Sequence, residues 1–521
     1  FLTSGKSKEA FRVFVDALTG KVWFSQNMTL YQAAPAISMS VYTSDSPSPF
    51  TPGWPTPNIA QPPLVPRTYL TNFTALNTVA SPAGWVYAAT NNVYVTAGNN
   101  VHAATDHDDD DVPDLPRPTV PQDAPDFTFP LDLSLPPLAY TNASVVNLFY
   151  LNNFMHDRMY AYGFTEAAGN FQNDNFGRGG FGGDPVIADA QDGARINDPF
   201  YRNNAYFVPT QDGIPGHMAM FIFDGPQPDR DGSLDAEIVC HEYTHGISTR
   251  LVGGGDVLFW EWQPNGLGEG WSDIVPLCLL SEPSDDPNAV YPSGGYSTYM
   301  LYDLMENYYF GIRRYPYTTD MSKNPLTFKD IDPDLADPHL GIPINPIWAA
   351  MNDPTEVHNM GEVWCVALWE VRANLVDSLG WEEGNSTMLQ LIIDGMKLTP
   401  PNPTYLQARD AILQADELAF GGLNRTDIWR GFAKRGMGYS AKAPPANTTR
   451  GVVEAFDLPP DVTISPPDGI LEIYFNPARD STLLGGTVTP IYVRVRDGSS
   501  VTNATVKGVI NGMTPLAFNN A

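Results

Sequence analysis

The chain has 521 residues, 43% of them apolar and 12% aromatic, with 44 glycines and 48 prolines. That length exceeds what one hydrophobic core usually covers, so two or three units rich in turns are expected and a single small domain is excluded. Fifty-nine acidic against 29 basic side chains leave a formal charge of −30, which repels nucleic acid phosphates and anionic membranes and argues against a polyanion-binding protein.

In chain order, residues 11–16 and 21–24 alternate as two strands joined by an Ala-Leu-Thr-Gly turn, a hairpin that closes a first segment, 1–31. From 32 to about 135 the chain is rich in Pro, Asn, Thr and Ser, and extended structure should dominate. Helical spacing of Val145, Leu148, Phe149, Asn152 and Met155 predicts a helix over 142–162, followed by a glycine-rich loop at 177–183 and a strand at 218–223. Beyond Asp231 the pattern changes to longer helices, at about 235–251, 267–280, 361–378, 386–397 and 404–417. A strand-rich stretch, 32–230, and a mainly helical one, 231–456, follow from that change. From 457 onward alternation returns at 470–475 and 491–496, which reads as a small appended Ig-like β-sandwich, cut short at its last strand.

No apolar run reaches the length of a membrane span, and the first residues do not read as a signal peptide. Cys240, Cys278 and Cys365 are too few for a disulfide framework and fall in apolar helical runs, so buried inert thiols are expected. Asn-x-Ser/Thr triplets at Asn27, Asn72, Asn142, Asn385, Asn424, Asn447 and Asn503 suit an exported glycoprotein.

The run that carries chemistry is His241-Glu242-Tyr243-Thr244-His245. Residues four apart share one helical face, so on a helix both imidazoles reach a single ion. Asp235 as N-cap and the apolar Ile238 and Val239 supply that helix independently of the motif. Catalytic zinc takes three protein ligands and keeps one position open, which leaves a third ligand to find. Glu269 stands four residues before Asp273 at the start of another apolar helix; one carboxylate can bind the ion while the other accepts a proton from a ligating imidazole. Glu242, beside a ligand but not needed as one, suits a general base acting on the attacking water.

Around these residues the chain resembles the fungalysin-type metallopeptidases, relatives of thermolysin. The likeness covers most of 85–455 and is sharpest at Gly169-Asn170-Phe171-Gln172, at Asn175-Phe176-Gly177-Arg178-Gly179-Gly180, at His241 to Gly246, and at Pro316-Tyr317-Thr318-Thr319-Asp320. The resemblance implies an α+β fold of thermolysin-like form: a β-rich lobe before the zinc helix, an α lobe after it, and substrate in the cleft between. It further implies a secreted zinc endopeptidase in which His358 donates to the oxyanion, Asn204 and Ala205 bind the peptide as an edge strand, and Arg313 contacts a substrate carbonyl. The opening hairpin looks like the end of a propeptide, the expected inhibitor, with protein or peptide as substrate. One departure stands out: thermolysin-like enzymes place an oxyanion tyrosine between zinc helix and third ligand, whereas residues 246–268 contain none.

Two acidic stretches are candidate calcium loops, Asp106 with Asp108 and Asp110, and Asp229 with Asp231 and Asp235. Both alternate aspartates, and both lack the terminal bidentate glutamate. Two other functions compete with endoproteolysis: a zinc exopeptidase, which needs an acidic group closing the cleft, and a catalytically silent matrix-binding protein.

Overall fold

A computed structural model describes residues 35–462, apart from 50–51, 58–59, 90–91, 226, 256–260, 287, 304–306 and 348–351, together with short strands outside that range. Strands Ala10–Val15 and Val22–Asn27 pair antiparallel as the alternation predicts; the turn between them lies outside the described residues. Near the other end, Leu471–Tyr474 pairs with Tyr492–Val495, and Thr505–Gly508 with Leu516–Asn519, two antiparallel ribbons.

Between them the chain mixes sheet and helix. Helix α1 (Thr141–Ala161) is buried on nearly every side, from Ala143 through Asp157. It lies across a four-stranded sheet whose order is Ala205–Val208, His217–Met220, Val186–Ala190, Val101–Thr105. The last three run parallel, and Ala205–Val208 is an antiparallel edge. Its buried polar side chains find partners, Asn147 donating to Ser233 O and Asp157 accepting from Trp85 Nε1, and each fully buried apolar side chain such as Leu148 or Phe149 contributes about 1.5–3 kcal/mol.

After Asp231 long helices dominate: α2 (Ala236–Leu251), α3 (Trp262–Leu280), the single turn α4 (Asn307–Phe310), α5 (Val357–Leu379), α6 (Trp381–Leu398), α7 (Tyr405–Phe420) and α8 (Arg425–Lys434). Five fall where the periodicity places them. Helix α3 starts earlier than expected, α8 is additional, and the strand expected at 218–223 divides at Phe221, whose N–H donates to Asn204 O and whose carbonyl accepts from Gly232 N. One apolar core runs across the change at 230/231, from Ile37 through α1, α2, α3 and α5 to Val452.

Two close approaches fix the helices that matter. On α2, a Cβ at Gly246 would meet the Phe171 and Phe207 rings at 2.8 Å, so its absence lets the helix press on the edge strand. Where α3 crosses α5, a Cβ at Gly361 would meet Glu269 Cβ at 2.4 Å, and one at Gly270 would meet Gly361 O at 2.6 Å. Two facing glycines bring these backbones together with Glu269 at the crossing. The three cysteines are buried free thiols. Of the Asn-x-Ser/Thr sites, Asn385 and Asn424 are buried, their amides bonded to Arg372 and Cys278 O, and to Asp416; those two are closed to modification in the folded chain.

Candidate metal centre

Helix α2 begins at Asp235, whose carboxylate accepts from Glu237 N and Ile238 N, Ser297 N and Ser46 Oγ. Two turns on, His241 and His245 point from one face, their Nε2 atoms 3.1 Å apart. Helix α3 brings Glu269 opposite them, with Oε2 at 3.3 Å from His241 Nε2 and 3.6 Å from His245 Nε2. That oxygen is buried and accepts no well-formed hydrogen bond.

Asp273, one turn beyond Glu269 and fully buried, accepts from His241 Nδ1 at 2.8 Å. It is itself gripped by Arg313 through Nε and Nη2, both at 2.7 Å, and by the Tyr317 hydroxyl. Although burial opposes ionisation, Arg313 and His241 hold this carboxyl well below its ordinary range. An ionised Asp273 fixes the proton on Nδ1 and leaves Nε2 as the ring atom that faces Glu269, the atom a metal would take in place of its proton. Burial likewise opposes the charge on Glu269, but the imidazoles of His358 and His245 keep it ionised. In His241 the carboxylates of Asp273 and Glu269 outweigh burial and push it up to about 10. Two imidazole nitrogens and an unpaired carboxylate oxygen thus converge, all within 4.8 Å. Nitrogen and oxygen donors of this kind, in this number, fit a divalent zinc ion.

Glu242 is buried beside the same point, and burial raises its carboxyl while the His241 and His245 rings pull it down. His358, at the start of α5, reaches to 3.5 Å from Glu269 Oε2. Its Nδ1 lies 2.7 Å from Glu356 Oε1, while Glu356 Oε2 accepts from Asn359 N and caps the helix. Glu269 and Glu356 raise His358, whose side chain is half exposed to the cleft, and His358 draws Glu356 down to about 2.

These groups line a cleft of about 590 Å³, with Asn204, Ala205, Tyr206 and Phe207 of the edge strand along one wall and Arg313 on another. Among the expected site residues, the structure therefore brings Asn204, Ala205, His241, Glu242, His245, Glu269, Arg313 and His358 to one cleft, with Asp273 behind. Two donor arms of Arg313 are engaged by Asp273, which sets it as a buttress of the His241 orientation as well as a cleft residue. Of the acidic stretches, Asp106, Asp108 and Asp110 bring carboxylate oxygens within 4.8 Å of one another. Asp229, Asp231 and Asp235 form no such group among the described residues. Asp231 accepts from Gln191 and Ser233 N, and Asp235 caps α2.

Sequence reasoning gave no role to Glu356 or the cleft residue Asn265, and placed Tyr317 only within a run of family resemblance. Glu356 carries a local signal, an acidic cap two residues before a histidine. Tyr317 meets Asp273 across 44 positions, a contact that local spacing does not announce.

The sequence model of the fungalysin metallopeptidases (M36) matches residues 59–441. "Probable extracellular metalloproteinase 1" of Trichophyton verrucosum is 37% identical over 407 residues, 75% of this chain and 58% of that protein. "Extracellular metalloproteinase mep" of Aspergillus niger is 40% identical over 330 residues, 60% of this chain and 47% of that protein. "Extracellular metalloproteinase 5" of Arthroderma gypseum is 38% identical over 391 residues, covering 72% and 55%. The chain thus spans about half the length of these relatives.

Proposed function

The chain belongs to the fungalysin metallopeptidases, and on that premise we propose that it is a secreted zinc endopeptidase with His241, His245 and Glu269 as metal ligands and Glu242 as general base. The observation that carries the reading is the meeting of the two Nε2 atoms with the unpaired Glu269 Oε2 in a cleft that Glu242 also lines. Zinc held by these three residues supplies a Lewis acid that lowers the pKa of water and polarises the scissile carbonyl.

The residues of the chain do the rest. A peptide extends along Asn204 and Ala205, continuing the sheet at its open edge through main-chain hydrogen bonds. Glu242 takes a proton from the attacking water as the new C–O bond forms, then delivers it to the amide nitrogen as the C–N bond breaks. His358, whose hold on its proton Glu269 and Glu356 strengthen, donates in its protonated form to the carbonyl oxygen as it gains negative charge. Arg313 and Asp273 hold His241 in register.

In the same reading, 32–230 and 231–456 are two lobes of one thermolysin-like catalytic unit flanking this cleft. The hairpin within 1–31 ends an inhibitory propeptide, and 457–521 is an appended β-domain. The relatives' names support export, and no described helix is long and apolar enough to cross a membrane.

The test uses an unfolded protein and an amino-blocked peptide as substrates for the zinc-loaded chain. Internal cleavage of both is expected, abolished by chelation and recovered with zinc. Cleavage confined to free amino termini would make it an exopeptidase, and full activity in chelator would end the metal reading.

A further inference from the structure

The C-terminal ends of two neighbouring parallel strands, Val101–Thr105 and Val186–Ala190, lead into a second concentration of carboxylates. Asp106, Asp108 and Asp110 follow the first strand, and their ligand oxygens lie within 4.8 Å of one another. Asp106 is 1% exposed, and its two oxygens accept from Asp110 N at 3.2 Å and Asp111 N at 2.8 Å, which curls the loop around it. His107 takes no part: it lies against Asp114 at 2.9 Å and Gln191 at 3.2 Å.

A separate observation comes from the second strand. Asp192 is 2% exposed and neither of its carboxylate oxygens has a hydrogen-bond partner. Asp189 Oδ1, on the same strand, is buried and unpartnered as well. The carboxylates of Asp109, Asp189 and Asp106 repel Asp192, and the next residue along ties the backbone here to the curled loop, Gly193 N donating to Asp106 O. A buried anion without donors costs several kcal/mol unless a cation meets it; the imidazole of His217, paired with Asp189 and near Asp111, only partly offsets the negative field on Asp192.

We propose that the Asp106–Asp108–Asp110 loop binds one calcium ion, with Asp192 and Asp189 supplying the buried negative field behind it. The donor set is all oxygen and built on a bend that can adjust, which suits calcium; magnesium demands tighter octahedral geometry, and transition metals favour nitrogen and sulfur. The ion ties the loop to the sheet. Gly193 N donates to Asp106 O at 2.9 Å and Arg195 N to His107 O at 3.0 Å, while Asp192 N donates to Met220 O at 3.0 Å. Met220 is paired with Ala205 on the cleft's edge strand, so calcium braces the end of the sheet that presents that strand. This site is independent of the peptidase reading.

The test is calcium titration by calorimetry, with thermal unfolding, on the full zinc-loaded chain after treatment with a calcium-selective chelator, zinc content being measured throughout. One saturable site is expected, with a melting temperature raised by about 5 °C at saturation. In the double variant Asp108→Asn and Asp110→Asn, whose side chains are exposed and whose folding is thereby spared, the heat and the shift should both vanish with zinc unchanged. Asp229→Asn should keep both. Absence of any heat or shift up to ~10 mM calcium, or full retention of binding in the double variant, would overturn the proposal.

Discussion

Asp273 joins His241 to Arg313: one carboxylate accepts from the imidazole Nδ1 at 2.8 Å and from two guanidinium nitrogens at 2.7 Å. The ring that offers Nε2 to the metal is therefore held by a buried ion pair lying outside the ligand set. Asp273→Asn keeps the shape and removes the charge. Zinc affinity, measured by competition with a chelator, is expected to fall roughly 10–100-fold, and the stranded Arg313 charge should cost about 3–5 kcal/mol in unfolding. Unchanged zinc affinity would show that Asp273 does not orient the ligand.

The pairing of His358 with Glu356 sets a pH dependence. Glu269 and Glu356 raise the imidazole above its ordinary value. A ring so raised keeps its proton to higher pH, so activity that needs a protonated His358 persists below that value and declines above it. In Glu356→Gln the raising influence is weakened, and the alkaline limb of kcat/KM should move to lower pH. A limb that stays in place, or moves upward, would remove His358 from the donor role.

Helix packing reaches the site through Gly361. In Gly361→Ala the new methyl meets Glu269 Cβ and the α3 backbone, and overpacking of this kind costs about 1–3 kcal/mol. Gly384→Ala makes an equally tight approach to Leu375 O and the Val376 backbone, between α5 and α6. Both should lower the unfolding midpoint, but zinc affinity should drop only in Gly361→Ala. Equal zinc affinities in the two variants would contradict the idea that the crossing positions Glu269.

The sequence made legible what depends on short-range spacing. His241 and His245 lie one turn apart, as do Glu269 and Asp273, and Asp235 announces the start of α2. What escaped depends on tertiary contact. Helix α3 begins at Trp262 although Pro264, Gly266, Gly268 and Gly270 weaken helical propensity there; a Cβ at Gly266 would meet Met360 Cβ at 2.5 Å, so packing favours residues that propensity disfavours. Helix α8 is short and contains Gly431, whose missing Cβ admits Val371. Tyr317 and Arg313 converge on Asp273 from 44 and 40 positions away, beyond any periodic pattern. The change of period at 230/231 is legible in the sequence, whereas the core that runs across it rests on long-range packing and is not.

The division of labour between metal ligands and base is tested most directly by Glu242→Gln, assayed for kcat/KM on an unfolded protein substrate with zinc content measured on the same sample. Removal of a positioned base costs roughly 10²–10⁴-fold in rate. The account predicts a loss in that range with one zinc per chain retained. A variant that holds zinc and cleaves at the unmodified rate would contradict it.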